Sequence, residues 1–545
     1  MPPTLLQDDA YNPAVSLVRV ISKSPGYHTL VPDGTPVHHI RCSAEYATLC
    51  LMAGDPEHIA RAHAVLRKLV ELQHREDDLY KGIWSWFYEE PVPQMERPDR
   101  NWADFIGARL AQVLMVHGHL LPPDLTADIR AAIALAAEHI VARDSHVGYT
   151  NIAIMGSVVT LAAGELLTRP ELADYGRDKL LRIEAHTQTT DGFGEYNSPT
   201  YSIVAIRELD RLELLVKDTT ARDIGRRLWH RAWQDMAHHY HPATQQWAGP
   251  HSRAYSERLM PDQCAFLSTA TGVDIRPAGV DSVALDPYEL IPIRPCPPEL
   301  IERFTRLPSP EITVTRTYKR SANAPDIVAT TWLTEAACLG SATYERAWAQ
   351  RRFCQGYWVM PTGPAAVLRV RMMMNGRDFA AGHVKQQQLG PRVLATFGTM
   401  LDTGPFHPPN NKPENNIFHD LQDLRLRVEL HAHAAAARPV AHGVELVAGE
   451  HKVQILPAPG STFDGREVTW QTTPLEDGVA YEGVLYHGTP RPFDLKAVET
   501  RLAVALALLP KSAPPEPPPT LNKTAATWQN THTVDLTPTA IVYPY

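Results

Sequence analysis

Apolar residues recur with two different periods along this chain, and the change falls near residue 285. Before it the spacing is helical. Within residues 57–75, Ile59, Val65, Leu66, Leu69, Val70 and Leu72 gather mainly on one side of a 3.6-residue helix. The same pattern predicts helices over 103–117, 125–143, 150–167, 171–187, 201–217 and 219–239. Short linkers carrying Gly, Pro or Asp separate them, and Asp124 or Thr126 offers a helix start. Many helices of similar length joined this way fit antiparallel pairs arranged as a bundle, a solenoid or a closed toroid. No strict repeat is visible, which disfavours a regular solenoid.

After residue 285 the period becomes two. Residues 311–320, 325–333, 365–374, 423–434, 442–449, 451–458 and 501–510 alternate or run apolar over strand-like lengths. They predict an antiparallel β-sandwich of roughly 10–14 strands. Residues 511–523 read as an extended Pro-rich connector, and 532–545 as a final strand. The expected fold is therefore α+β and multidomain. An (α/α) toroid over 1–285 is followed by an antiparallel sandwich over 286–545.

A length of 545 residues suits two domains or three, and 44% hydrophobic with 21% charged residues is globular composition. The net charge of −9 argues against nucleic acid as a main partner, while leaving room for a local basic cleft. No run of 18 apolar residues exists, so neither a transmembrane helix nor a membrane partner is expected. The start MPPTLLQDDAYNP has no basic or long apolar stretch, so a cytoplasmic location is expected; a trimmed secreted chain would read the same. Cys42, Cys50, Cys264, Cys296, Cys338 and Cys354 form no CxxC pair and read as reduced core residues. Oligomeric state is left open.

Four segments are rich in polar and aromatic residues at predicted helix ends. They are Asn101-Trp102-Ala103-Asp104 after the run Trp84, Trp86, Phe87 and Tyr88; His146 to Asn151 with Tyr149; Asp191 to Tyr201 with Glu195, Tyr196 and Asn197; and Trp247 to Tyr255 with His251 and Arg253. In a toroid such loops converge at one end. Aromatic faces stack on sugar rings, and amides and Arg read hydroxyls and carboxylates. Phosphate-loop, GxSxG and HExxH motifs are absent. Asn, Tyr, His and Arg together suit β-elimination from a uronic acid. Arg and Asn offset the enolate-like charge while a Tyr moves the proton. A free Tyr has a pKa of about 10, so a phenolate needs a cation such as Arg253 beside it.

The order NWxxxIG, Asn at a helix start, DGxxxxNxxxY and GxxSR resembles the α-toroid polysaccharide lyases, nearest the chondroitin/hyaluronan/xanthan group, with heparinase-type and alginate lyases further off. The resemblance implies a polysaccharide or oligosaccharide lyase that leaves a 4,5-unsaturated uronate end, with a uronate glycan as partner and no required cofactor. It assigns Asn151 to carboxylate neutralisation, Tyr201 to proton transfer, Arg253 to assistance and Trp102 to a sugar platform. Asn101, Tyr149, Glu195, Tyr196, Asn197 and Tyr255 join as substrate contacts. The family's His after the DG element is replaced here by Glu195-Tyr196-Asn197, which leaves the base to Tyr201 with His251 assisting.

Plainer readings stand beside these. Asn151 suits a helix cap, Tyr201 a core position, Arg253 an i,i+4 pair with Glu257, and the tryptophans core packing. An inverting glycoside hydrolase using Glu195 with Asp191 or Asp104 needs its carboxyls about 6.5–9.5 Å apart. A non-catalytic glycan-binding protein is the third reading. His238, His239 and His241 end a helix facing different ways. His431 and His433, with His407 or His419, are the candidates for a structural zinc in the sheet region, against a solvated strand face.

Overall fold

The computed structural model describes residues 8–23, 28–280, 291–320, 325–401 and 414–536. A three-stranded sheet, Tyr11–Asn12, Leu17–Ile21 and Pro36–His38, leads into the helices. These are α1 (Ile40–Ala53), α2 (Pro56–Glu71), α3 (Trp102–His117), α4 (Pro123–Arg143), α5 (Thr150–Leu167), α6 (Pro170–Thr189), α7 (Tyr201–Leu215), α8 (Thr219–His239) and α9 (Pro261–Thr271). Local chemistry sets their ends. Proline opens α2, α4, α6 and α9, where its missing N–H costs nothing, and Asp55 and Asp218 cap α2 and α8. The expected Asp124 or Thr126 start gives way to Pro123, so both residues lie inside α4.

Packing sorts the helices into two layers. α1, α3, α5 and α7 each meet the next of the set, and α2, α4, α6 and α8 back them, which is the arrangement of an (α/α) toroid. α5 is central. It is long and apolar enough by length and composition to cross a membrane, contrary to expectation, yet 83% of that stretch is buried among its neighbours. Across the bore, Arg109 of α3 lies 3.4 Å from Glu45 of α1 and 3.8 Å from Glu208 of α7. Arg211 also bonds Glu208 (3.0 Å) and Gln112.

Among the described residues two nine-stranded antiparallel sheets follow, more strands than the periodicity predicts. One runs in the order Thr469–Leu475, Gly478–Asp494, Ile417–His431, Ala366–Met374, Cys354–Trp358, Ala337–Ala342, Ile327–Thr334, Glu311–Lys319, with the ninth strand, Arg377–Asp378, pairing Ala366–Met374 off this path. The other places Thr500–Pro510 between His451–Pro457 and Arg392–Thr399. Leu368, Val370, Leu426 and Val428 of the first meet Val393, Ile455, Val504 and Leu506 of the second in one core. The first sheet is covered on its other face too, where Leu333, Cys338, Tyr357 and Val367 pack with Ala248 of the helical region. The Pro-rich connector reaches a small sheet whose Ala526, Trp528 and Val534 cover the second sheet's outer face. The final strand spans His532–Asp535; the rest of that expected strand and the boundary at 285/286 lie outside the described residues. Among the described residues no disulfide joins the six cysteines.

One glycine governs the join. A Cβ on Gly340 would lie 1.8 Å from the carbonyl oxygen of Gly249, in the loop that carries His251 and Arg253. Backbone cannot turn aside as a side chain can. Gly340→Ala is therefore expected to cost about 1–3 kcal/mol or more in urea unfolding. Gly118→Ala, with open space around it, serves as the neutral control.

Candidate active site

Three segments are laced together beneath the helix ends: residues 191–200 before α7, 247–255 after α8, and 344–352 in the sheet region. Asp191 bonds Thr317 through its backbone N–H (2.7 Å) and its carboxylate (2.8 Å). Gly194 permits backbone contact, since a Cβ there would sit 2.5 Å from the oxygen of Gly148; this brings Glu195 against the start of α5. Asn197 takes a left-handed φ of 48°. Its amide donates to the carbonyls of Ala248 (2.7 Å) and Pro250 (2.8 Å) and accepts from the Trp247 indole. Ser198 Oγ accepts the Tyr201 N–H (3.0 Å) at the start of α7 and donates to the Arg253 carbonyl (2.7 Å). His251 and Arg352 exchange backbone bonds at 3.1 and 3.0 Å, and Ala254 N–H donates to Gln350 O at 2.8 Å.

At the crossing lies Arg253, 9% exposed. Its Nε donates to Gln350 Oε1 (2.8 Å), its Nη1 to Glu195 Oε1 (3.3 Å), and its Nη2 to the hydroxyls of Tyr201 (3.1 Å) and Tyr255 (3.2 Å). The guanidinium carbon stands 4.3 Å from the Tyr201 ring centre and 5.5 Å from that of Trp348. The two tyrosine hydroxyls are 2.6 Å apart. Glu195 Oε2 accepts the backbone N–H (2.9 Å) and the amide (2.5 Å) of Asn151. Burial opposes charge on Arg253, but the oxygens of Tyr201, Tyr255 and Glu195 hold its pKa well above the usual arginine value. Burial raises the Tyr201 phenol well above its ordinary range, with Arg253 pulling the other way.

The structure thus brings together Asn151, Glu195, Tyr201, Arg253 and Tyr255. Asn151 is the second residue of α5 rather than its cap; it is fully buried and its amide N–H faces Glu195. Arg253 pairs with Glu195, whereas Glu257 pairs with Arg352 and Arg369. Tyr149 borders the group: burial raises its phenol and Arg253 opposes that, and its hydroxyl accepts from Asn101. Asn101 in turn accepts from Arg143, which holds Asp104, so it is a link in a buried chain.

Other expected contacts are placed elsewhere. His251 donates Nδ1–H to the Asn197 carbonyl (2.6 Å), and burial lowers its pKa to about 4. It is a neutral brace between loops, outside the hydrogen-bonded group around Arg253. Tyr196 is buried, bonded to His239 and stacked on Tyr318, while Asn197 is spent on backbone. Trp102, 5% exposed, packs with Trp86, His39 and Phe105 instead of offering a sugar platform. Gln350 and Trp348 escaped the sequence reading. Their one signal is the basic and aromatic run ERAWAQRR between strands.

The metal readings find little support. The ring nitrogens of His239 and His241 bond separate partners, and His238 bonds Arg316. His431 is engaged on both nitrogens by Asp477 and Glu429; His419 stands exposed beside Glu414, and His407 lies outside the described residues. Among the described residues, His74, Glu76 and Asp78 bring ligand atoms within 4.8 Å of one another on a partly exposed loop.

The fold class is α+β: a helix-pair toroid followed by an antiparallel β-sandwich. A sequence-family model described as a domain of unknown function, DUF8769, matches residues 18–272, through α9. No curated protein matches the chain. Among solved structures the chain is similar to a heparinase III at 11% identity and a TM-score of 0.42, over 91% of this chain and 81% of that one. It is also similar to the Streptomyces coelicolor A3 chondroitin AC lyase, solved in complex with chondroitin sulphate. That match has 11% identity and a TM-score of 0.45, over 94% and 80% of the two chains.

Removing Glu195 leaves a buried guanidinium and a buried amide without their acceptor. Glu195→Ala is expected to lower stability by about 3–5 kcal/mol, and Glu195→Gln by less, in urea unfolding. A second expectation concerns acid. His239, His241, His251 and His383 are buried with pKa values lowered to between about 3 and about 4. At these histidines the unfolded chain binds more protons than the folded one between pH 6.5 and 4, so their contribution to stability falls as pH falls. Asp104, Asp210 and Asp235, raised by burial to about 6, act in the opposite sense below pH 6. Each such His contributes about 1.4 kcal/mol per pH unit in that window. Urea midpoints at a series of pH values between those limits check the slope.

Proposed function

We propose that this site cleaves a uronate-containing oligo- or polysaccharide by β-elimination, leaving a 4,5-unsaturated uronate end. The observation that carries the reading is two tyrosine hydroxyls on one nitrogen of a buried guanidinium, at 3.1 and 3.2 Å. A C5 proton beside a carboxylate is weakly acidic. Its removal needs a base of matching strength and a fixed cation facing the enolate-like charge. Tyr201 supplies the first and Arg253 the second. With Tyr201 ionised at the start, the C5–H bond breaks to its oxygen and the C4=C5 bond forms. The C4–O bond breaks as its oxygen takes that proton from the Tyr201 hydroxyl, which restores the phenolate. Glu195 and Gln350 fix the guanidinium, and Asn151 fixes Glu195. These proton transfers call for no cofactor.

The hydrolytic reading has less to stand on. Glu195 is engaged by Asn151 and Arg253, Asp191 by Thr317, and Asp104 by Arg143, so each candidate carboxylate is already tied.

Incubation with a panel of uronate glycans is expected to raise absorbance at about 235 nm, where the conjugated product absorbs, and Tyr201→Phe to lower the rate by about 100-fold or more without loss of fold. An undiminished rate in that variant removes Tyr201 from the mechanism. New reducing ends without absorbance move the assignment to hydrolysis.

A further inference from the structure

Tyr201 poses a difficulty as a lone base. It is only partly open to water, and an ionised phenol buried there is costly, so a proton must leave by some route before the oxygen can take another. The structure supplies a neighbour suited to this. Tyr255 is 56% exposed, its hydroxyl lies 2.6 Å from that of Tyr201, and both oxygens accept from the same Nη2 of Arg253. Their rings meet edge to face, with centres 6.0 Å apart. A short O···O contact between two phenols, faced by one fixed cation, is the geometry in which a single proton is shared.

We propose that Tyr201 and Tyr255 work as one acid–base unit, in which Tyr255 holds the charge and relays the proton of Tyr201. The inference rests on the elimination reading for its role in turnover, but the shared proton itself does not. The cycle balances. The pair first loses one proton to water, and the charge settles on the solvated Tyr255 oxygen beside Arg253. When substrate is bound, the Tyr201 hydroxyl proton crosses to Tyr255 as the Tyr201 oxygen takes the C5 proton. The pair now holds two protons. One passes to the departing glycosidic oxygen as the C4–O bond breaks, which restores the singly protonated pair.

The groups facing the pair define its electrostatics. Arg253 favours the anion. Tyr149 and Glu195, from the start of α5 and the loop before α7, face Tyr201 and disfavour charge on its own oxygen. The solvent exposure of Tyr255 favours placing the charge there. Titrations of groups this close belong to the pair and not to either member.

The test is NMR of the full chain carrying tyrosine labelled with carbon-13 at Cζ, as a function of pH, for the wild type, Tyr201→Phe and Tyr255→Phe. Two signals, each lost in one variant, are expected to move together in one wild-type titration. In Tyr255→Phe the Tyr201 signal is expected to stop moving over that range; in Tyr201→Phe the Tyr255 signal is expected to titrate at higher pH. The pH profile of kcat/KM should follow the wild-type titration, and Tyr255→Phe should lower kcat/KM by about tenfold or more and move the alkaline rise upward. Independent titration of the two signals, each unaffected by replacing the other residue, overturns the proposal. Coupled titration in a protein that eliminates no uronate glycan upholds the shared proton and rejects the elimination reading alone.

Discussion

A guanidinium cannot be buried without acceptors on most of its nitrogens, and the site follows from how Arg253 meets that demand. Its partners come from three places in the chain. Glu195 and Tyr201 stand on either side of the turn into α7, Tyr255 is two residues further along its own loop, and Gln350 comes from between two strands of the sheet region. The cation is therefore satisfied only when the helical and sheet regions are together. Lacing of the 247–255 loop to Arg352 and Gln350, and the backbone contact of Gly340 with Gly249, belong to the same requirement.

That arrangement also separates groups buried in fixed bonds from groups left at the edge. Glu195, Asn151, Gln350, Asn197 and His251 are buried and hold positions. The hydroxyls of Tyr201 and Tyr255 are left at the edge, where a proton can move and where water reaches one of them. A fixed positive charge beside mobile protons favours a transition state in which negative charge spreads over a neighbouring carboxylate.

Much of this could be read from the sequence, for physical reasons. The expected helix at 150–167 has the observed bounds and that at 219–239 likewise, because their apolar faces are long and their linkers abrupt. α1 and α9 were not foreseen: one is buried nearly all round and lacks a stripe, and the other is 11 residues long. The strand Gly382–Leu389 is masked in the sequence by its glutamines, whose side-chain amides reach carbonyls on and next to other strands. Gln386 donates to Ala342 and Phe353, and Gln388 to Leu339. In the site, Asn151, Glu195, Tyr201, Arg253 and Tyr255 were legible as residue types in order along the helical half. Which of them face each other was not. Tyr196, Asn197, His251 and Trp102 looked equally suited to chemistry, and only packing shows them spent on structure. Gln350 was out of reach, since its bond to Arg253 spans 97 positions.

We propose that the group around Arg253 breaks a carbon–oxygen bond by elimination. Mass spectrometry of the two fragments of a defined uronate oligosaccharide tests this most directly, because elimination adds no atoms. With elimination, the fragment masses are expected to sum to that of the intact substrate. A sum greater by one water would contradict it and make the site hydrolytic.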